Sequence, residues 1–177
     1  MYKIGICGSH GTGKTTLAGM IAAEKSLNLL TGLMRSFWQE FGVSDFEKLP
    51  KDVRTTFQKE SLMRQITAED KLENFVTDRT VLDQLAYTKM SSNMSDSSID
   101  FLLYEQLCAE RLNRYTHIFY LPVEFEVEPE FLRADISTRG DLAVIMKDYL
   151  DKWYKGKYIT ITGPLDKRLE DVKEALR

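Results

Sequence analysis

Apolar positions come in two rhythms along this chain, short runs of strand length and longer stretches in which apolar and charged residues recur at helical spacing. Tyr2-Lys3-Ile4-Gly5-Ile6-Cys7 is a strand candidate, and Thr16-Leu17-Ala18-Gly19-Met20-Ile21-Ala22-Ala23 continues as a helix to about Lys25. Leu27 to Thr31 reads as a short buried strand ended by Gly32. Leu33 to Phe41 then sets Met34, Phe37, Trp38 and Phe41 at helical intervals. A polar connection from Asp45 to Leu49 closes at Pro50, and from Asp52 to about Leu72 the residues Val53, Phe57, Leu62, Met63, Ile66 and Ala68 mark a helix packed on one side.

The second half repeats the scheme. Asn74 to Arg79 is a strand with a charged end, Thr80 to Met90 a helix, and Ser91 to Ser98 a serine-rich loop. Ile99 to Arg114 is helical, with Cys108 inside it, and Thr116 to Leu121 is a strand ended by Pro122. Asp141 to Lys155 is a helix, Lys157 to Thr162 a strand, Gly163-Pro164 a turn, and Leu165 to Leu176 a closing helix. Strand and helix alternating about five times, without repeats or linkers, call for an α/β fold. A mostly parallel sheet then carries helices on both faces. The length of 177 residues suits one domain over residues 1–177.

Chemistry enters between the first strand and the first helix. Gly8-Ser9-His10-Gly11-Thr12-Gly13-Lys14-Thr15 fills the pattern G-x-x-x-x-G-K-[ST] in the strand–loop–helix setting of a phosphate-binding loop. Its glycines let backbone N–H groups approach phosphate oxygens, and the helix adds its positive N-terminal end. Lys14 reaches the β- and γ-phosphates, and the Thr15 hydroxyl, followed by Thr16, is offered to Mg²⁺. ATP and Mg²⁺ are therefore the expected cofactors.

Asp78-Arg79 puts a carboxylate and a guanidinium together at a strand end. Asp78 there can hold Mg²⁺ or accept the proton of a nucleophilic hydroxyl, and Arg79 can clamp a phosphate. A structural Asp–Arg pair is the bland alternative. Arg35, just beyond the second strand, either faces a ligand at the carboxyl ends of the strands or is a solvated or salt-bridged arginine. Asp83 and Tyr87 share a helix face, where they meet a substrate or each other. His117 has no partner constellation in sequence and reads as a packing histidine.

Val123 to Gly140 carries Glu124, Glu126, Glu128 and Glu130, then Arg133, Asp135 and Arg139. That segment reads as a lid whose arginines offset charge on a transferred phosphoryl group, with an acidic surface loop carrying incidental arginines as the alternative.

Composition changes the picture little. A net charge of −3 favours a small-molecule substrate over a strongly basic nucleic-acid surface. Cys7 and Cys108 form no C-x-x-C or Cys/His cluster. No apolar run approaches the ~20 residues that span a bilayer, and no leader pattern precedes the first strand, so a cytoplasmic location is expected.

With these motifs placed, nearly the whole chain resembles the P-loop nucleoside and nucleotide kinases. It is most similar to small kinases related to the nicotinamide-ribonucleoside kinase domain and, more distantly, to thymidylate kinase. Asp78-Arg79-Thr80, Asp83 and Ala86-Tyr87 resemble the Asp-Arg-aromatic motif of thymidylate kinases and its following helix. Asp135 and Arg139 fall where those enzymes carry their lid. The resemblance implies a three-layer fold with a five-stranded parallel sheet in the order 2-3-1-4-5, MgATP as donor, and a hydroxyl or phosphate acceptor. In several relatives the second strand ends with a Glu three residues before an Arg. Here Arg35 is present but Gly32 takes the place of that Glu, which throws more weight on Asp78.

The first reading is an ATP-dependent kinase acting on a nucleoside or nucleoside monophosphate. Lys14, Asp78, Arg79, Arg133 and Arg139 carry catalysis, and Arg35, Asp78, Arg79, Asp83, Tyr87 and Asp135 carry the acceptor. A second reading makes the acceptor a hydroxyl of modified DNA, such as the modified pyrimidines of some viral DNAs, with Lys147, Lys152, Trp153, Tyr154, Lys155 and Lys157 as the candidate groove. A third is a nucleotide-dependent switch, whose GTPase version lacks an Asn-Lys-x-Asp run. The apolar faces of the helices at 33–41 and 99–112 bury against the sheet or against a second subunit, which leaves a homodimer open.

Overall fold

The computed structural model describes residues 1–44, 46–91, 99–124 and 138–177, apart from the side chains of Glu47 and Ile99. Most of the serine-rich loop and most of the expected lid at 123–140, with Arg133 and Asp135, lie outside the described residues.

Five strands form a parallel sheet: β1 (Lys3–Cys7), β2 (Asn28–Leu30), β3 (Phe75–Thr77), β4 (His117–Tyr120) and β5 (Ile159–Thr160). Their order is β2-β3-β1-β4-β5, as the resemblance implies. β1 is central, with Ile4 opposite Val76 on one side and His117 on the other. Between the strands run α1 (Lys14–Lys25), α2 (Leu33–Glu40), α3 (Lys51–Asp70), α4 (Val81–Met90), α5 (Ile99–Leu112) and α6 (Arg139–Trp153), and α7 (Leu165–Ala175) closes the chain.

Alternation along the strands divides the core in two. Ile4, Ile6, Val76 and Phe119 pack with Leu17 and Ile21 of α1 and Val172 of α7. Cys7, Phe75, Ile118 and Tyr120 pack with Leu62 and Ile66 of α3, Leu82 and Leu85 of α4, and Leu142 and Met146 of α6. Each large side chain buried in this way contributes roughly 1.5–3 kcal/mol. Both faces of the sheet are covered, so helix starts are held firmly at the carboxyl ends of the strands.

The expectation of a buried second strand is corrected. β2 is the edge of the sheet, and Asn28 and Leu29 are exposed, Leu29 by 39%. An edge strand has a single neighbouring strand, here β3, so an apolar sequence does not ensure burial.

The inner face of α3 also differs from its apolar pattern. Met63 is 47% exposed, whereas Gln58, Ser61, Gln65 and Glu69 are buried. Gln65 and Glu69 are held by a network: Tyr115 Oη donates to Glu69 Oε1 at 2.7 Å, and Gln65 Nε2 donates to Glu69 Oε1 at 3.0 Å and to the Arg79 carbonyl at 2.7 Å. Burial pushes the Glu69 carboxyl above its usual range, opposed by the hydrogen bonds of Tyr115 and Gln65. The network fixes the peptide of Arg79, where β3 hands over to α4.

Candidate active site

The phosphate-loop motif forms the turn from β1 into α1. Gly8 has φ +146°, and a Cβ there would stand 2.3 Å from the Leu121 carbonyl oxygen, so only glycine passes this point beside the exit of β4. Lys14 begins α1 and is buried, and its Nζ donates to the carbonyls of Gly8 at 2.7 Å and Ser9 at 2.6 Å. Thr12 Oγ1 donates to the Ser9 carbonyl at 3.0 Å. Burial pulls the Lys14 ammonium down to about 8, with Asp83 opposing and Arg79 adding to the shift. A buried ammonium attracts phosphate strongly, because little water screens it.

Asp78 stands at the end of β3, with its backbone N–H donating to the Leu30 carbonyl of β2 at 3.1 Å. Its Oδ2 accepts the Thr15 hydroxyl at 2.6 Å and the Thr31 hydroxyl at 2.7 Å. Two hydroxyls and a carboxylate form a hard, all-oxygen donor set of the kind Mg²⁺ takes together with substrate phosphates, so these residues fit the ion. Thr31 had no role in the sequence reading. The only sequence signal was a hydroxyl at the end of a strand neighbouring Asp78.

Gly32 caps α2 with φ +69°, a left-handed conformation that a glutamate would adopt only with strain. The missing family carboxylate is thus matched by a backbone that favours its absence, and Thr31 is the side chain that points to Asp78 instead. Arg35 lies exposed in the first turn of α2.

Asp83 and Tyr87 do not hydrogen-bond to each other. Asp83 is 1% exposed, and its Oδ2 accepts the Thr80 backbone N–H at 2.8 Å and hydroxyl at 2.9 Å, a capping box that starts α4. Its Oδ1 has no hydrogen-bond partner among the described residues. Burial raises the Asp83 carboxyl, against the pull of Lys14 and Arg79. Tyr87 instead shares a 3.2 Å hydrogen bond with His10 Nδ1, and the Arg79 guanidinium sits 5.2 Å over its ring. The two motifs are therefore in contact through their side chains.

Arg139 is buried at the start of α6, with Nε donating to the His10 carbonyl at 3.1 Å and Nη2 to the Gly11 carbonyl at 3.4 Å. It reaches the phosphate loop by its carbonyls. Arg168, which the sequence reading passed over, does the same at Thr12, with Nη1 2.7 Å from that carbonyl oxygen. In the basic stretch considered for DNA, Trp153 and Tyr154 are half-buried and both have partners within the protein. Trp153 stacks on Tyr149 at 4.4 Å, and Tyr154 Oη donates to the Tyr115 carbonyl at 3.2 Å. His117 is half-buried between the rings of Tyr2 and Phe119, as a packing residue.

A family model described as AAA domain matches residues 3–168. The chain belongs to that family. Among solved structures, deoxyadenosine kinase from M. mycoides with the products dCMP and dCDP superposes with a TM-score of 0.72 at 17% identity, covering 98% of this chain and 97% of that one. NadR in complex with NR gives 0.73 at 18% identity, over 98% of this chain and 50% of the other. Thymidylate kinase from Ehrlichia chaffeensis gives 0.60 at 18% identity, over 98% and 97%. No curated protein sequence matches. At such identities the likeness establishes the fold, and it is the fold of the kinase families that the motifs resemble. In this AAA domain the loop, Asp78 and the Arg79–Tyr87–His10 contacts gather at the carboxyl ends of β1, β2 and β3, where ligands of open α/β sheets bind. No helix among the described residues is long and apolar enough to cross a membrane.

Proposed function

We propose that this AAA domain is a phosphotransferase, an ATP-dependent kinase that moves the γ-phosphoryl group to a nucleoside or nucleoside monophosphate. The observation that carries the reading is the 2.6 Å bond between the phosphate-loop hydroxyl of Thr15 and the strand-end carboxylate of Asp78. It joins a triphosphate site and an acceptor-side acid in one place.

Phosphoryl transfer asks for positioning and charge stabilisation rather than covalent chemistry. The backbone N–H groups of residues 8–15 and the α1 N-terminus bind the triphosphate, and Lys14 leaves its loop carbonyls for the β- and γ-oxygens. Thr15 and Asp78 would hold Mg²⁺, which would supply charge neutralisation for the triphosphate. As the alternative to holding the metal, Asp78 would accept the proton of an acceptor hydroxyl, and Arg79, steadied over Tyr87, would clamp an acceptor phosphate. Arg139 supports the loop from the start of α6, Arg133 and Asp135 of the expected lid lie outside the described residues, and Arg35 faces the acceptor from α2. The names of the neighbouring structures, which include a deoxynucleoside kinase and a nucleotide kinase, support this choice of acceptor.

The test is a transfer screen with Mg²⁺ and γ-labelled ATP against nucleosides, nucleoside monophosphates, nicotinamide riboside and single- and double-stranded DNA. Label on one small acceptor supports the reading and names the substrate. Label on DNA alone replaces the acceptor class, and tight ATP binding with slow hydrolysis and no labelled acceptor overturns the kinase in favour of a switch.

A further inference from the structure

Arg168 lies in the first turn of α7, and its side chain is 3% exposed, a rare degree of burial for a guanidinium. Each of its three nitrogens serves a different segment. Nη1 donates to the Thr12 carbonyl at 2.7 Å, Nε to the Gly163 carbonyl at 2.6 Å, and Nη2 to Glu124 Oε2 at 2.5 Å. The Gly163 backbone N–H in turn donates to both Glu124 oxygens, 3.1 Å from each. One side chain thus ties together the chain leaving β1, the chain leaving β4 and the chain leaving β5.

The tie has a consequence for the phosphate loop that follows from peptide geometry. In a planar trans peptide the carbonyl of one residue and the N–H of the next point in opposite directions. Arg168 draws the Thr12 carbonyl toward α7, so the Gly13 N–H is turned away from α7. Arg139 draws the His10 and Gly11 carbonyls in the same fashion and thereby orients the N–H groups of Gly11 and Thr12. A loop that binds phosphate by its N–H groups must otherwise order those peptides when the anion arrives, at a cost in conformational entropy.

We propose that Arg168 is a positioning residue for the triphosphate: with Glu124 fixing its guanidinium, it presets the Gly13 N–H for a phosphate oxygen. The inference rests on the triphosphate-binding reading above and names a residue that reading does not include. A lysine cannot substitute, since one ammonium cannot serve three acceptors held in a planar fork.

The experiment uses the full chain and two probes, MgATP and inorganic triphosphate with Mg²⁺, in calorimetric titrations at a temperature where circular dichroism shows each variant folded. Arg168→Lys is expected to lose about 10-fold or more in affinity, equally for both probes, because the defect lies at the phosphates. Glu124→Gln, which keeps the bond but not the charge, is expected to lose less. Arg168→Ala is expected to regain affinity when guanidinium is added at millimolar concentration, which a purely structural lesion would not do. Wild-type affinity in a folded Arg168→Lys variant overturns the inference alone, as does a loss confined to ATP. A wild-type chain that binds neither probe overturns the triphosphate reading and this inference with it. If Arg168→Ala does not fold, the Arg168→Lys and Glu124→Gln titrations decide.

Discussion

The imidazole Nδ1 of His10 and the hydroxyl of Tyr87 lie 3.2 Å apart, which joins the phosphate loop to the middle of α4 across 77 residues of sequence. Tyr87 is also the platform for Arg79. The glycine-rich loop and the Asp78-Arg79 strand end are therefore linked through one side chain.

Removing that link should be measurable by itself. Tyr87→Phe is expected to cost about 0.5–1.5 kcal/mol of stability, since the ring and its cation–π contact survive and one hydrogen bond is lost. Tyr87→Ala is expected to cost more. A denaturation double-mutant cycle with His10→Ala should return a coupling energy of about the Tyr87→Phe loss, and additive effects would show that the pair is not coupled.

Lys14 gives a pH dependence with a definite sign. Its native ammonium is held down to about 8 from 10.5, so between those values the unfolded chain binds more protons and stability rises with pH. Below about pH 8 the buried charge is a standing cost. Lys14→Met is therefore expected to stabilise the nucleotide-free protein at pH 7 by up to ~3 kcal/mol while lowering phosphate transfer by on the order of 10²–10⁴. Triphosphate affinity of the wild type should weaken as pH rises through about 8, because phosphate needs the charged form, and a flat profile would contradict this.

Asp83 separates a capping oxygen from a buried charge. Its carboxyl is raised by burial, so the native state holds its proton more tightly than the unfolded chain and stability falls as pH climbs from 3.8 through the native value. At neutral pH Asp83→Asn keeps an acceptor for Thr80 without the charge and is expected to match or exceed wild-type stability. Asp83→Ala loses the cap and is expected to be about 1 kcal/mol or more less stable. Thermal melts of both variants at pH 7 check the order.

Asp78→Ala removes the group that Thr15 and Thr31 share. Transfer is expected to fall by about 10²–10⁴ with the fold retained, and the Mg²⁺ concentration needed for half-maximal rate should rise. An unchanged rate in a folded variant would remove Asp78 from the chemistry.

Gly8→Ala would bring its methyl 2.3 Å from a backbone oxygen at a positive φ. Neither neighbour is a flexible side chain, so the expected result is loss of soluble folded protein or of nucleotide binding, read by expression and titration.

Much of the fold was legible because its signals are local. The alternation of apolar runs and helical spacing marked the five strands and seven α-helices among the described residues, and the glycine pattern before Lys14 located the phosphate loop, since close backbone approach requires those residues whatever surrounds them. The burial of Leu29 was misjudged for the opposite reason. Whether a strand is central or an edge depends on which strands flank it, and nothing within residues 27–31 carries that information.

The candidate site divides along the same line. By itself the sequence determined the identity of the loop, the strand-end Asp78-Arg79 pair and the helix face shared by Asp83 and Tyr87, because each is a matter of spacing along one element. Only the tertiary structure decided that Asp83 turns inward to cap α4 while Tyr87 reaches His10, that Thr31 joins Thr15 on Asp78, and that Arg168, 156 residues from Thr12, holds its carbonyl. Those contacts join segments distant in the chain, and the order in which the sheet stacks its strands, rather than any local spacing, sets which of them meet.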